Sequence, residues 1–235
     1  MVYYDLHIHS CLSPCADNDM TPNNICAMAQ LKGLDCIAIT DHNSAGNVRA
    51  AYTAAKKFNI NLIAGIELNT AEEVHLLGYF PSPEQAEKFN LSLCSYRRHI
   101  KNKPDFFGVQ HYMDENDQIT NIEEELLIAP LTISFDDAVK QIRAFGGVPV
   151  PAHIYRSNGL ISMLGFIPEN TAIHTVETNK GETVPKGLRT VFSSDAHYLG
   201  DISEKENALP CKNNTADILA YLDSGGTHFA RQGHE

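Results

Sequence analysis

Tyr4-Asp5-Leu6-His7-Ile8-His9-Ser10 is the stretch that decides how this chain folds. With the preceding Val2 and Tyr3 it alternates and is rich in Tyr, Val and Ile, the pattern of a β-strand over Val2–His9. His7 and His9 are two apart, so a regular strand turns both imidazoles to one face, where they can grip one ion. Alone, the pair also fits two surface histidines on an edge strand. Three more fragments repeat the arrangement: Thr40-Asp41-His42-Asn43, Gly65-Ile66-Glu67 and Ser194-Asp195-Ala196-His197 each place His, Asp or Glu just after an apolar, β-branched run. Imidazole and carboxylate are preferred ligands of zinc, iron and manganese. Four such fragments at four strand ends point to a multinuclear metal centre.

Working outward, Thr21-Pro22 reads as an N-cap followed by proline at the first helical position. The periodicity of Ile25, Met28, Ala29 and Leu31 then runs to a stop at Gly33. Strands are expected over Asp35–Thr40, Ile60–Ile66 and Val74–Phe80, with a helix over Asn47–Phe58 between the first two. From Pro81 to Pro130 the pattern weakens. Helical pieces near Glu84–Ile100 and Ile122–Ala129, joined by the polar loop Met113–Asp117, read as an inserted segment or small cap over 81–133. Regularity resumes at Ser134-Phe135-Asp136-Asp137, which resembles a capping box and opens a helix carrying Ala138, Ile142 and Phe145. Strands at Val148–His153, Ile173–Glu177 and Leu188–Ser193 follow, then a helix at Thr215–Leu222 and a last strand at Thr227–Ala230. Strands alternating with helices imply a mainly parallel α/β sheet. About seven units in 235 residues suggest one small barrel domain, 1–235, whose catalytic groups gather at the C-terminal strand ends.

Hydrophobic residues make up 43% and charged residues 20%, ordinary for a globular protein. The start lacks a signal peptide's basic and apolar regions, and no apolar run approaches the roughly 18 residues of a membrane span. A cytoplasmic enzyme without a membrane partner is expected. A formal net charge of −11 argues against loose binding to a long nucleic acid, which needs a basic surface. It leaves room for a small phosphorylated substrate, because divalent ions invert the charge of their site. The six cysteines form no Cys-x-x-Cys pair, so a disulfide framework is not expected.

Glu67 ends an apolar strand, where an unpaired buried carboxylate is costly and a cation is the simplest remedy. A solvated strand-end Glu is the alternative. Beside His42, Asp41 can orient a ligand through a hydrogen bond, or Asp-His-Asn-Ser can be plain turn chemistry. His75 and His153 are each a polar residue in an apolar run, which singly suits a satisfied core histidine.

In order, Asp-Leu-His-x-His-Ser, Thr-Asp-His-Asn, Gly-Ile-Glu, Val-His-Leu-Leu-Gly-Tyr, Pro-Ala-His and Ser-Asp-Ala-His resemble the successive motifs of the PHP (polymerase and histidinol phosphatase) family, over about residues 2–80 and 134–200. The resemblance implies a distorted (β/α)7 barrel with two to three divalent ions (Zn, Mn or Fe). It implies that His7, His9, Glu67 and Asp195 hold one metal and that Glu67 bridges to a second completed by His75 and His153. Asp17, His42 and His197 would hold a third. Asp17 is placed by its distance from Thr21-Pro22, with Cys15 and Asp19 as rival ligands. Asp5, Asp41 and Glu67 are the expected catalytic carboxylates, the first two as orienters or proton relays. Arg156 and Arg97 are the expected substrate-binding residues.

The activity implied is a phosphoesterase that hydrolyses a small phosphomonoester or short nucleotide through a metal-activated water. Glu73-Val74-His75-Leu76-Leu77-Gly78-Tyr79 looks most like the branch of nucleoside 3′,5′-bisphosphate phosphatases and 5′–3′ exoribonucleases acting on short RNA. Histidinol-phosphate phosphatase is the competing enzyme reading. A non-catalytic metal-binding regulatory module is the competing class.

Overall fold

The structure is a computed structural model that describes residues 1–168, 171–185 and 187–225. The chain begins with β1 (Val2–Ile8), α1 (Pro22–Leu31), β2 (Cys36–Ile39), α2 (Val48–Lys57), β3 (Asn61–Asn69) and β4 (His75–Phe80). Next come α3 (Pro83–Ser92), the one-turn α4 (Pro104–Phe107) and a short hairpin of β5 (His111–Met113) and β6 (Ile119–Ile122). α5 (Phe135–Ala144), β7 (Val148–Pro151), α6 (Leu160–Leu164), β8 (Thr175–Glu177), β9 (Arg189–Val191), β10 (Ala208–Leu209) and α7 (Thr215–Asp223) complete it. The expected caps are present: Thr21 accepts the Asn24 N–H and Ser134 accepts the Asp137 N–H.

A six-stranded sheet runs β10-β1-β2-β3-β4-β7, and β8 pairs β9 in parallel. The Ile154 N–H donates to the Glu177 carbonyl at 3.0 Å, joining the end of β7 to β8. Between β9 and β1 the seam closes through His9 N–H to Ala196 O at 2.9 Å and Ala196 N–H to His7 O at 3.2 Å. The strands β1-β2-β3-β4-β7-β8-β9 thus curl into the expected distorted barrel. Two strands depart from a parallel sheet: β4 pairs antiparallel with β3 and β7, and β10 pairs antiparallel with β1. Gly65 lets β2 and β3 approach this closely, since a Cβ there would sit 2.7 Å from Thr40 Cγ2 and 2.8 Å from the Ile39 carbonyl.

Alternation sorts the side chains into layers. Tyr4, Leu6, Ala38, Ile63, Leu77, Tyr79 and Val150 fill the barrel interior. Ile8, Ile37, Ile39 and Leu62 face α1 and α2, while Ile66, Leu76 and Phe80 face the helices on the other side. In β1 the register with β2 shifts between Asp5 and Ile8. That irregularity exchanges the inward parity from Leu6 to His7 and His9, as bulges beside active sites do.

Two expectations for 81–133 need correction. Within the expected Glu84–Ile100 piece, helix ends at Ser92, followed by a 3₁₀ turn at Leu93–Tyr96, and Ile122–Ala129 is not helical. The Glu-rich run looked helical, but Ile122 pairs with His111, and Glu123 is held by Tyr112 Oη at 2.7 Å and Arg97 at 3.4 Å. The expected strand at Thr227–Ala230 lies outside the described residues.

Candidate metal centre

Every strand of the barrel delivers a polar side chain to one end of it. His7 and His9 leave the end of β1, Asp41 and His42 follow β2, and Glu67 lies near the end of β3. His153 follows β7, Glu177 ends β8, and Asp195 and His197 follow β9. His75 is the first residue of β4. Because β4 runs backwards, its start lies where its neighbours end, with His75 opposite Asn69.

Glu67 is the hub, with no exposed surface. Its Oε1 lies 3.3 Å from His7 Nε2, 3.0 Å from His75 Nδ1 and 3.4 Å from His153 Nε2. Its Oε2 lies 3.3 Å from His9 Nε2 and 3.0 Å from His42 Nδ1. Asp195 Oδ1 lies 3.3 Å from His7 Nε2 and 3.2 Å from His9 Nε2. Three ligand-type groups result: His7–His9–Glu67–Asp195, His42–Glu67–His75 and His9–His42–His197. Nearby backbone is held in the left-handed region, at φ 27° for His153 and 57° for Asp195.

These groups fit divalent cations. Both Glu67 oxygens, with Nδ1 of His42 and of His75, are buried without a hydrogen-bond partner, although they lie within 3.0–3.4 Å of one another's groups. Ligand atoms of His42, Glu67 and His75 lie within 4.8 Å of one another but lack hydrogen-bond geometry. A buried polar atom left this way is expensive unless a cation compensates it.

The protonation pattern reflects the same crowding. Burial depresses His7, but the carboxylates of Glu177, Glu67 and Asp195 outweigh it and raise its pKa well above the usual histidine value. His9, likewise opposed by burial, is lifted to about 9 by its contacts with Asp195 and Glu67. Burial and the neighbouring His9 push His42 down to about 3 and His197 to about 4. Glu67 is held well below the carboxylate range by the His75, His7 and His42 imidazoles, against the effect of its burial.

Two supporting carboxylates do not reach the ligand cluster. Asp41 accepts from Ser10 N at 2.7 Å, Ser10 Oγ at 2.6 Å and Ser13 Oγ at 2.7 Å. Ser13 Oγ also accepts the His42 N–H at 3.2 Å and lies 2.9 Å from His9 Nδ1. A hydroxyl has one proton and two lone pairs. With its proton given to Asp41, Ser13 must accept from His9 Nδ1–H, which leaves His9 Nε2 for the centre. Asp41 is thus linked to the His9 ring through the Ser13 hydroxyl. Asp5 accepts from Ser194 Oγ, Ser194 N and Ser203 N at 2.6, 3.1 and 2.8 Å, and braces the seam instead of facing the cluster.

The remaining expected residues divide. Arg156 stands at the rim, its Nη1 2.9 Å from Asp195 Oδ2. Arg97 is engaged within the protein: it bonds the Asn43 carbonyl at 3.1 Å and pairs with Glu123 at 3.4 Å and Glu125 at 3.7 Å, tying segment 81–133 to the barrel. Asp17 is exposed and outside the three groups; its carboxylate accepts the Asp19 N–H at 2.9 Å. Its main chain nevertheless sits beside His197, whose carbonyl accepts the Asp17 N–H at 2.9 Å. Cys15 and Asp19 are also exposed and outside the groups. Sequence reasoning missed Glu177, which lies 3.0 and 3.1 Å from His7 Nδ1. Its signal was the one used elsewhere, an acidic residue ending an apolar strand.

A barrel with clustered imidazoles and carboxylates at one end is suited to holding divalent metal ions. The model of the PHP domain family matches residues 5–142, more than half of the chain, and the chain belongs to that family. Over 78 residues, 32% of this chain and 27% of the relative, it is 35% identical to a 5′–3′ exoribonuclease of Haemophilus influenzae. An uncharacterised Methanocaldococcus jannaschii protein is 32% identical over 84 residues, 32% of this chain and 48% of the relative. The chain thus matches less than half the length of either curated relative. In fold it is similar to a Bifidobacterium adolescentis protein assigned by inference as a metal-dependent phosphoesterase. Their TM-score is 0.62 at 17% identity, covering 97% of this chain and 98% of the other. It is also similar to a lesion-specific endonuclease of Pyrococcus furiosus, with TM-score 0.61 at 19% identity, covering 84% and 49% of the two chains. No helix of the described residues is long and apolar enough to cross a membrane.

Proposed function

We propose that this chain removes phosphate from a small nucleotide, such as a nucleoside 3′,5′-bisphosphate, or from the end of a short RNA. The observation that carries the reading is Glu67: each of its oxygens is offered, without hydrogen-bond geometry, to at least two imidazoles. His7, His9, Glu67 and Asp195 would hold one ion, and Glu67, His75 and His153 a second. His42 and His197 would hold a third, with Asp17 completing it from the adjoining loop. When bound, such ions polarise phosphoryl oxygens and lower the pKa of water. The protein's own part is to orient and to select. Ser13 and Asp41 keep His9 Nε2 directed inward. Arg156 offers a fork-shaped cation at the rim, suited to two oxygens of a terminal phosphate. The net charge of −11 disfavours a long polyanion, so a short substrate is expected. The stretch shared with the exoribonuclease supports the nucleotide reading.

Phosphate release tests this with nucleoside bisphosphates, nucleoside monophosphates, short 5′-phosphorylated RNA, sugar phosphates and histidinol phosphate, with manganese or zinc added and with a chelator as control. Turnover should be greatest on a nucleotide and vanish on chelation. Greater turnover on histidinol phosphate would replace the nucleotide reading. Bound metal with no turnover on any ester would replace catalysis with a regulatory role.

A further inference from the structure

Glu177 grips two other strands at once. Its side chain is 3% exposed, both of its oxygens lie within 3.1 Å of His7 Nδ1, and Oε1 also accepts the His153 N–H at 3.1 Å. Its carbonyl accepts the Ile154 N–H at 3.0 Å. We propose that Glu177 is a positioning residue for the metal centre, fixing the His7 ring through Nδ1 and the His153 main chain through N–H; the inference rests on the metal-centre reading above.

A carboxylate only accepts, so the His7 proton belongs on Nδ1, and Nε2 is the atom left for a metal. His7 Nε2 then faces Glu67 Oε1 at 3.3 Å, Asp195 Oδ1 at 3.3 Å and His9 Nε2 at 3.2 Å. Ser13 imposes the same tautomer on His9, so two ring lone pairs confront each other across 3.2 Å. That arrangement is relieved by a proton shared between the two nitrogens or by a metal ion held by both. The two histidines differ in their supports. His9 leans on a neutral hydroxyl, His7 on a carboxylate, and a charged partner makes an imidazole the stronger donor to metal.

The second grip concerns His153, whose φ of 27° is one that side-chain-bearing residues rarely adopt. Such a conformation persists only where the surroundings over-determine it. Here Glu177 supplies two of the fixing bonds, one from its side chain and one from its main chain. A third constraint is Gly159, where a Cβ would lie 2.4 Å from the His153 carbonyl. His7 and His153 both face Glu67 Oε1, at 3.3 and 3.4 Å, so one carboxylate governs that side of the hub.

The plain alternative is a buried Glu that merely ties strands together. Glu177→Gln keeps the shape and one acceptor oxygen while removing the charge; Glu177→Ala removes both. Zinc should be titrated into metal-free wild type and both variants against a chromophoric chelator, with thermal melts in parallel. Zinc-loaded, ¹⁵N-histidine-labelled protein should be examined by NMR. Glu177→Ala is expected to weaken at least one zinc equivalent by about 10–100-fold and to spare another, with Glu177→Gln in between. The wild type should show a slowly exchanging His7 Nδ1–H that Glu177→Ala loses. Unchanged affinities, or all equivalents weakening alike in step with the melting temperature in both variants, would overturn the inference. A wild type that binds no zinc would overturn the metal centre and this inference together. A wild type that binds zinc but hydrolyses no ester would overturn only the proposed activity.

Discussion

Replacing Asp5 by Ala asks whether a buried carboxylate in the first motif takes part in the chemistry or braces the fold. Asp5 is wholly buried and accepts from Ser194 Oγ at 2.6 Å, Ser203 N at 2.8 Å and Ser194 N at 3.1 Å. Asp5→Ala strands these donors. The Ser194 hydroxyl has a second acceptor in reach, the His7 carbonyl at 3.3 Å. The main-chain N–H groups of Ser194 and Ser203, and that of His7 at 3.4 Å, then lose this acceptor; the two short bonds cost roughly 1–3 kcal/mol each and the long one less. Burial raises the Asp5 pKa, so deleting a costly charge returns part of that. The net loss is about 2–4 kcal/mol. At roughly 2–4 °C per kcal/mol for a chain of this size, the melting temperature should fall by about 5–15 °C. Asp5→Asn, which keeps one acceptor oxygen, should lose less. Thermal unfolding by circular dichroism, zinc stoichiometry and turnover well below the melt decide the matter. A brace predicts a lower melt with metal content kept and turnover of the wild-type order. An unchanged melt with turnover lost by orders of magnitude would refute the reasoning and put Asp5 into the chemistry.

Glu67→Gln should cost at least one metal equivalent and lower turnover by orders of magnitude while the circular dichroism spectrum is retained; near wild-type turnover would exclude Glu67 as the shared ligand. Asp17→Ala should lose one equivalent and impair catalysis, whereas Cys15→Ser should be mild under the same reducing conditions; elemental analysis showing the reverse would place Cys15 among the ligands. In the metal-free protein His9 is raised to about 9, above the unfolded value near 6.5. The stabilisation from its charge is therefore complete below about pH 6.5 and lost as pH rises through about 9. His7 shifts in the same direction. Melts of metal-free protein should accordingly decline across that window, and a flat or rising curve would contradict the charge pattern of the cluster.

The parts of the centre that sequence made readable are those whose geometry is local. His7 and His9 share a face because strand side chains alternate, and that holds whatever the rest of the chain does. His75 shares the centre only because β4 runs against its neighbours, which no local pattern announces. Glu177 obeys the same strand-end rule as Glu67, but no motif drew attention to it. Arg97 looked available because its partners Glu123 and Glu125 stand far along the chain, in a run whose composition suggested a helix. Asp17 depends on a loop whose side chains settle by local turns: its carboxylate caps Asp19 while its main chain holds His197.

The seam between β9 and β1 joins residues nearly two hundred positions apart in sequence, through Ala196 and its bonds to His7 and His9. Contacts of such long separation carry the largest loop-closure cost and are expected to form late in folding. Here the seam runs through His7 and His9, two of the proposed metal ligands, and through Ala196, which lies between two more, Asp195 and His197. Ions drawn to His7, His9 and Asp195 would therefore act as a latch across the closing point of the ring. Interactions absent from the folding transition state slow unfolding more than they speed folding. In a cell, metal supply would then set the lifetime of this protein as well as its activity.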